Sequence, residues 1–253
     1  MKMQPDTDAK TKGNVRRTGK LRKAYKIASA VLGLAAIGYL LLLCFPRPLF
    51  AYTANYERFT IYSREPIDPG IERVLDGAET RLRTSPIYDG EISRRIYLTN
   101  GFGIYALLSN KAYKSFANSV PFINNVIIDK SNVAADLVFV NRPINNSRSL
   151  SGVVAHEITH LFIRQRYGIV RAILMPTWKN EGYCEYVAGD STIPLDEGLR
   201  LWRENPTDDT DYRYTKYHAM IKYLLEKEHM TVDDLFTRDL DEKEVAAKTL
   251  ANL

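Results

Sequence analysis

The sequence predicts an α+β protein with a sheet-bearing N-terminal half and a helical C-terminal half, preceded by one transmembrane helix. Three patterns predict this: an uncharged apolar run near the N-terminus, short β-type runs mixed with helical spacing before about residue 150, and almost entirely helical spacing after it. The 253 residues are 45% hydrophobic and 26% charged, so most of the chain can bury a core. These proportions exclude collagen-like, coiled-coil and wholly disordered chains.

The positive charge of the chain is concentrated at its N-terminus. Residues 1–26 hold nine Lys or Arg against two Asp, a net charge of +7, whereas the whole chain carries +5. The remainder is therefore slightly acidic, and we expect no nucleic-acid partner. The two cysteines, Cys44 and Cys184, exclude a disulfide scaffold and a four-cysteine metal site.

Residues 27–45 form the apolar run, which is 19 residues long and has no charge. As a helix it would span about 28 Å, close to the ~30 Å hydrocarbon core of a bilayer. The basic flank predicts a cytoplasmic N-terminus, with residues 46–253 outside. We therefore expect a cytoplasmic tail over residues 1–26 and a single-pass signal anchor that contacts membrane lipid through residues 27–45. A cleaved signal peptide is the alternative, although its apolar region usually has only ~7–15 residues.

A linker over residues 46–55 and one outer domain over residues 56–253 are predicted to follow. In the first half of this domain, short apolar runs predict strands at residues 59–62, 95–98, 126–128 and 136–140, and residues 69–83 have helical spacing. In the second half, one helix is predicted from an N-cap at Ser151 to a stop at Gly168. A second is predicted after Pro176, and a third over residues 211–228.

The first of these helices carries the sequence His156-Glu157-Ile158-Thr159-His160, an H-E-x-x-H motif. Residues four apart share one helix face, so both imidazoles can reach one ion, while Glu157 is rotated away and can hold a water on that ion. Twenty residues separate His160 from Glu181, enough for a loop and a returning helix. Glu185 shares the face of Glu181 and could accept a hydrogen bond from a histidine. Cys184, between them, is expected to be a small buried apolar residue, with a redox-sensitive neighbour of the metal as the alternative.

The H-E-x-x-H motif and the stretch W-K-N-E-G-Y-C-E-Y at residues 178–186 resemble the gluzincin zinc metallopeptidases, the group of thermolysin and aminopeptidase N. The second stretch is similar to the W-x-x-E-G-x-x-E-Y form of bacterial peptidase MA-like proteins. The resemblance implies a zincin-like catalytic domain with one zinc ion (Zn²⁺) per chain. It also implies roles for individual residues: zinc ligands at His156, His160 and Glu181, a general base at Glu157, and Glu185 orienting His156.

An oxyanion donor is also implied on the third helix. Tyr214 matches the tyrosine that starts this helix in the peptidase MA-like pattern, and His218, one turn later, is the alternative. Both residues could instead be core residues without a catalytic role, with only their polar ends reaching the surface, because apolar positions continue the same side of the helix.

The activity implied by the resemblance is hydrolysis of peptide bonds by a zinc-activated water, with a peptide or protein substrate at the outer face of a bacterial envelope. The Gly-x-Met-Glu-Asn segment with which aminopeptidase N holds a free amino terminus is absent, so nothing supports an exopeptidase. A catalytically inactive, peptidase-like binding or assembly factor in the envelope is the alternative, because intact ligands do not prove turnover. The oligomeric state is not defined by the sequence.

Overall fold

The computed structural model describes residues 8–109, 114–206 and 212–252. The chain divides into two compact units, Met1–Pro46 and Arg47–Leu253. In the first unit, helix α1 (Asp8–Cys44) contains a segment, Tyr25–Cys44, that is long and apolar enough to cross a membrane. A signal sequence near an N-terminus has the same properties, and the orientation of the segment stays a prediction. The helix begins well before residue 27, and residues 1–7 of the predicted tail lie outside the described residues.

The second unit contains a five-stranded sheet in the order β1-β2-β3-β5-β4. Its strands are β1 (Tyr52–Tyr56), β2 (Phe59–Ser63), β3 (Arg94–Leu98), β4 (Ala117–Ser119) and β5 (Asn125–Ile128). Strands β2, β3 and β5 are parallel, whereas β1 and β4 run antiparallel at the two edges. Three of the predicted strands are thereby confirmed. The expected linker over residues 46–55 needs correction, because β1 occupies its second half; this exposed edge strand has no apolar alternation to reveal it.

A second, three-stranded antiparallel sheet follows, formed by β6 (Lys130–Asn132), β7 (Leu137–Phe139) and β8 (Ser147–Ser149). Strand β7 lies within the predicted strand at residues 136–140. Helix α2 (Ile71–Leu82) confirms the helical spacing of residues 69–83. Helix α3 (Phe102–Ser109) was not predicted, because it is short and apolar nearly throughout, with Gly103 near its start and Gly101 just before it.

The second half of the chain is helical, as predicted. It contains α4 (Leu150–Tyr167), α5 (Ile169–Leu174), α6 (Thr177–Ala188), α7 (Leu195–Glu204), α8 (Arg213–Lys222), α9 (Val232–Thr237) and α10 (Glu242–Ala251). The mixed α+β class is therefore confirmed. The predicted helix over residues 211–228 is shorter as an α-helix, because its last part, Tyr223–Lys227, is a π-helical turn.

Helix α4 lies at the centre of the unit and packs against α2 and α6. Its N-cap is Ser149, whose side chain accepts a hydrogen bond from the backbone N–H of Gly152, so the predicted cap at Ser151 is wrong by two residues. The hydroxyl of Ser151 instead donates to Asp136 at 2.7 Å. The helix ends at Gly168, as predicted, where φ is +84°.

Helix α8 approaches α6 closely, and one glycine permits the approach. A Cβ atom added to Gly182 would lie 2.8 Å from the backbone oxygen of Tyr217, closer than any real side chain tolerates. Only glycine therefore fits at this crossing. The crossing brings the start of α8 to the same cleft as the acidic residues of α6, which concerns Tyr214 below.

Candidate metal centre

The two histidines of the H-E-x-x-H motif lie one turn apart on α4 and face one carboxylate on α6. Nε2 of His156 lies 3.2 Å from Oε2 of Glu181, and Nε2 of His160 lies 3.6 Å from Oε1 of the same side chain. The ring centroids of the two histidines are 5.0 Å apart. The structure therefore brings together His156, His160 and Glu181, the three residues that the sequence motifs single out.

The opposite nitrogen of each ring faces a separate acceptor. Nδ1 of His160 lies 3.0 Å from Oδ1 of Asn180, whose amide nitrogen donates to the carbonyl of Ala172, so that the amide oxygen is turned toward the ring. Nδ1 of His156 lies 3.1 Å from Oε1 of Glu185, as the sequence predicts for this residue. An acceptor at Nδ1 favours the tautomer in which Nε2 carries a lone pair, the form that binds a metal. Asn180 favours this form for His160, and Glu185 would favour it for His156 once a metal ion replaces the proton on that ring.

A metal ion could be held in this place. His156, His160 and Cys184 offer ligand atoms that all lie within 4.8 Å of one another. Cys184 is fully buried, as expected, but its sulfur lies 3.3 Å from Nδ1 of His160, on the side of the ring away from Glu181. The geometry thus offers two candidates for a third ligand, the carboxylate of Glu181 and the thiol of Cys184.

The donor set of Glu181 with the two histidines fits a tetrahedral ion. Ligands at 2.0–2.2 Å from zinc and at the tetrahedral angle are about 3.3–3.6 Å apart. The separation of 3.6 Å between Nε2 of His160 and Oε1 of Glu181 lies at the upper end of this range, and the 3.2 Å between Nε2 of His156 and Oε2 lies just below it. Two neutral imidazoles and one carboxylate are also a donor set that zinc accepts.

Electrostatics in the centre favour a cation. Burial lowers the pKa of His156, but its contacts with Glu181 and Glu185 outweigh this and raise the pKa to about 10. Burial by itself raises the pKa of Glu181, yet the two histidines hold it below its usual range. The pKa of His160 is lowered, chiefly by burial. A proton on His156 therefore takes the place of a positive ion between the carboxylates.

An open cleft of about 500 Å³ gives access to the centre. Both histidines, Glu157 and Glu181 line it, together with the whole of β4 and residues of α5. Strand β4 is the last strand of its sheet, and among the described strands it pairs only with β5. Its other edge therefore has no strand partner among the described strands, although the carbonyl of Ala117 accepts a hydrogen bond from the hydroxyl of Ser115 at 2.7 Å.

The two candidates for an oxyanion donor occupy different surroundings. Tyr214 lines the cleft with 49% of its surface exposed, and burial together with Glu181 raises the pKa of its hydroxyl, which stays a proton donor at neutral pH. His218 is buried against the ring of Tyr186, at 6.0 Å between centroids, and burial lowers its pKa. The structure brings Tyr214, and not His218, to the cleft.

Sequence reasoning missed several residues that contact the centre. Asn180 directly precedes Glu181, and its polar side chain on a buried helix was a usable signal. Arg148, which pairs with Glu185, lies 37 positions away in a three-residue strand, and no spacing rule connects the two. No protein-family model matches this chain, and no curated protein matches its sequence.

Proposed function

We propose that this chain is a zinc-dependent peptidase with a zincin-like fold, tethered to a membrane through residues 27–45. The observation that carries the proposal is the convergence of two histidine Nε2 atoms on Glu181, with Glu157 beside them in an open cleft. A catalytic zinc site needs three protein ligands and an open position for water, and three candidate ligands beside an open cleft support the proposal. The resemblance of the two sequence motifs to gluzincin peptidases supports the same conclusion.

Glu181 is a better third ligand than Cys184. A metal bound by the Cys184 sulfur and the neighbouring Nδ1 of His160 would have to displace Asn180 from that nitrogen. Burial and the nearby carboxylates also raise the pKa of the Cys184 thiol well above its usual value, which opposes the thiolate that metal binding requires. The assignment is therefore one zinc ion per chain, held by His156, His160 and Glu181.

Three parts of the chain would have separate roles in peptide hydrolysis. A zinc ion held by His156, His160 and Glu181 would supply Lewis acidity for the activation of water. Glu157 accepts the proton of the attacking water and delivers it to the leaving amine. Tyr214 donates its hydroxyl proton in a hydrogen bond to the oxyanion. The edge of β4 that pairs with no other described strand would bind the substrate backbone as an added strand, with the substrate replacing the Ser115 hydroxyl at the carbonyl of Ala117. This favours an extended peptide or unfolded protein segment.

The setting proposed is the outer face of a bacterial membrane. The basic residues before the apolar segment favour a cytoplasmic N-terminus and an extracytoplasmic catalytic unit. Substrates would then be envelope or secreted proteins. The competing candidate is an inactive envelope binding or assembly factor on the same fold, favoured by the fact that intact ligands also occur without turnover.

Metal removal tests the proposal directly. The full-length protein in detergent is expected to cleave casein or a mixed peptide library. A chelator should remove the zinc and abolish this activity, and about one equivalent of added zinc should restore it. The measurement is product formation by mass spectrometry beside metal content. A fully zinc-loaded protein that cuts none of these substrates, but captures peptides, would favour the binding factor.

The role of Tyr214 has its own test. Tyr214→Phe removes only the hydroxyl, and because that hydroxyl serves the transition state, kcat should fall by about 10²–10³ with little change in KM. Tyr223→Phe is the matched control, since Tyr223 lies on the π-helical turn and its hydroxyl donates a hydrogen bond to the exposed Glu228. Wild-type kcat in Tyr214→Phe, together with a low kcat in His218→Gln, would transfer the role to His218.

A further inference from the structure

We infer that Arg148 is a positioning residue for the metal centre: its guanidinium holds the carboxylate of Glu185, which in turn holds the ring of His156 with Nε2 toward Glu181. The inference rests on the proposed function, because it concerns the same metal site. It adds a residue from the second sheet to a centre otherwise built from α4 and α6. Arg148 lies in β8, directly before the N-cap of α4.

The Glu185 carboxylate is held on every side. Arg148 donates to both of its oxygens, from Nη1 to Oε1 at 2.8 Å and from Nη2 to Oε2 at 3.1 Å. Ser191 donates its hydroxyl to Oε2 at 2.7 Å, and Nδ1 of His156 approaches Oε1 at 3.1 Å. A guanidinium that donates to both oxygens fixes the plane of a carboxylate, whereas a single hydrogen bond from a lysine ammonium does not. Glu185 is 1% exposed, so water cannot replace these partners.

The ring of His156 depends on this carboxylate. Nδ1 of His156 is buried, and within the described ranges no other group approaches it closely enough to hold it. Its contact with Glu185 is short but poorly aligned for a hydrogen bond, whereas Nε2 on the other side of the ring contacts Oε2 of Glu181 at 3.2 Å. Glu185 therefore holds the Nδ1 side of the ring while Glu181 faces the Nε2 side, and Arg148 sets the orientation of Glu185.

Arg148 is itself held in place by a further hydrogen bond, to Asp190. Its guanidinium also donates to the backbone oxygen of Asp190, and the Asp190 carboxylate accepts from the hydroxyl of Ser149 at 2.7 Å. Ser149 is the residue that caps α4. One buried polar network thus connects the start of the helix that carries both histidines with the carboxylate that orients the first of them. Such partners of metal-binding histidines typically change metal affinity 10–100-fold when they are removed.

Zinc affinity, measured by competition with a chromophoric chelator on the full chain in detergent, tests the inference. Arg148→Met is expected to weaken zinc binding by about 10–100-fold and to change the visible spectrum of the cobalt-substituted protein, because the geometry of the centre is altered. Arg148→Lys, which keeps the charge without the contact to both oxygens, is expected to lie between Met and wild type. Arg142→Met is the matched control: Arg142 also lines the cleft and lies over Phe116, but it bonds to its own loop through Asn145.

A double-mutant cycle separates positioning from a general loss of structure. In a Glu185→Gln background, Arg148→Met should cause little further loss of zinc affinity, since Arg148 acts through Glu185. Full additivity, an equal loss in Arg142→Met, or wild-type affinity in Arg148→Met would each overturn the inference. If Arg148→Met does not fold, Arg148→Lys tests the inference in its place. Wild-type zinc affinity in Arg148→Lys would contradict a role for the two-pronged contact of the guanidinium with Glu185. Zinc-loaded wild type without peptidase activity would overturn the proposed function and leave this inference standing.

Discussion

Glu157→Gln is expected to abolish most peptide hydrolysis while the protein keeps its zinc. The substitution preserves the size of the side chain, but an amide cannot accept the proton of the attacking water or return it to the leaving amine. General acid–base groups of this kind contribute about 10²–10⁴-fold to the rate, so kcat should fall by that amount. Because Glu157 lies between the two histidines in sequence but is rotated away from the face they share, zinc affinity should change little. Steady-state kinetics beside metal analysis on the full-length protein provide both measurements.

The control for this substitution is Glu204→Gln, because Glu204 forms an exposed ion pair with Arg200 on the helix surface. It changes the same functional group away from the cleft and should leave both kcat and zinc content at the wild-type level. A zinc-loaded Glu157→Gln protein with wild-type kcat would contradict the assignment of Glu157 as the base. Loss of zinc in that variant would instead show that Glu157 helps to hold the ion.

The sequence was most informative where one local pattern determines both the element and the chemistry. The pairs His156 with His160, and Glu181 with Glu185, are each four residues apart, and a helix places such a pair on one face whatever surrounds it. The strands were predicted from two different patterns. Residues 126–128 are a continuous apolar run that is buried throughout, whereas residues 59–62 alternate between buried and half-buried side chains, and residues 95–98 become apolar only after Arg95. A stop at Gly168 followed from its tolerance of positive φ.

Other features depend on contacts that sequence spacing does not encode. Strand β4 has only three residues, Ala117–Ser119, and its position at the sheet edge beside α4 follows from tertiary pairing with β5. The N-cap of α4 was placed at Ser151, because Ser149 and Ser151 are equally good caps by residue type; the partners Asp136 and Asp190 decide between them. The sequence likewise left two interpretations of Cys184 open, since a buried thiol on α6 is indistinguishable in sequence from a packing residue; its sulfur lies 3.3 Å from Nδ1 of His160.

Glu181→Ala is expected to remove the zinc ion, whereas Cys184→Ser should retain it. The carboxylate of Glu181 faces both Nε2 atoms, so its loss leaves two ligands and should weaken zinc binding by more than the ~100-fold typical of residues that only orient a ligand. Cys184→Ser keeps a small polar group near Nδ1 of His160 and leaves the three proposed ligands intact. The measurement is zinc per chain after dialysis, with chelator competition for the affinities.

Thermal unfolding gives the same comparison without any substrate. A ligand present at 100 times its Kd stabilises the folded state by about 2.7 kcal/mol, so added zinc should raise the Tm of the wild type and of Cys184→Ser but not that of Glu181→Ala. The reverse result, zinc retained in Glu181→Ala and lost in Cys184→Ser, would place the ion on the Nδ1 side of His160. Asn180 would then have to release that ring, and Glu157 would no longer stand beside an open metal position. A peptidase mechanism through Glu157 therefore depends on Glu181, and not Cys184, being the third ligand.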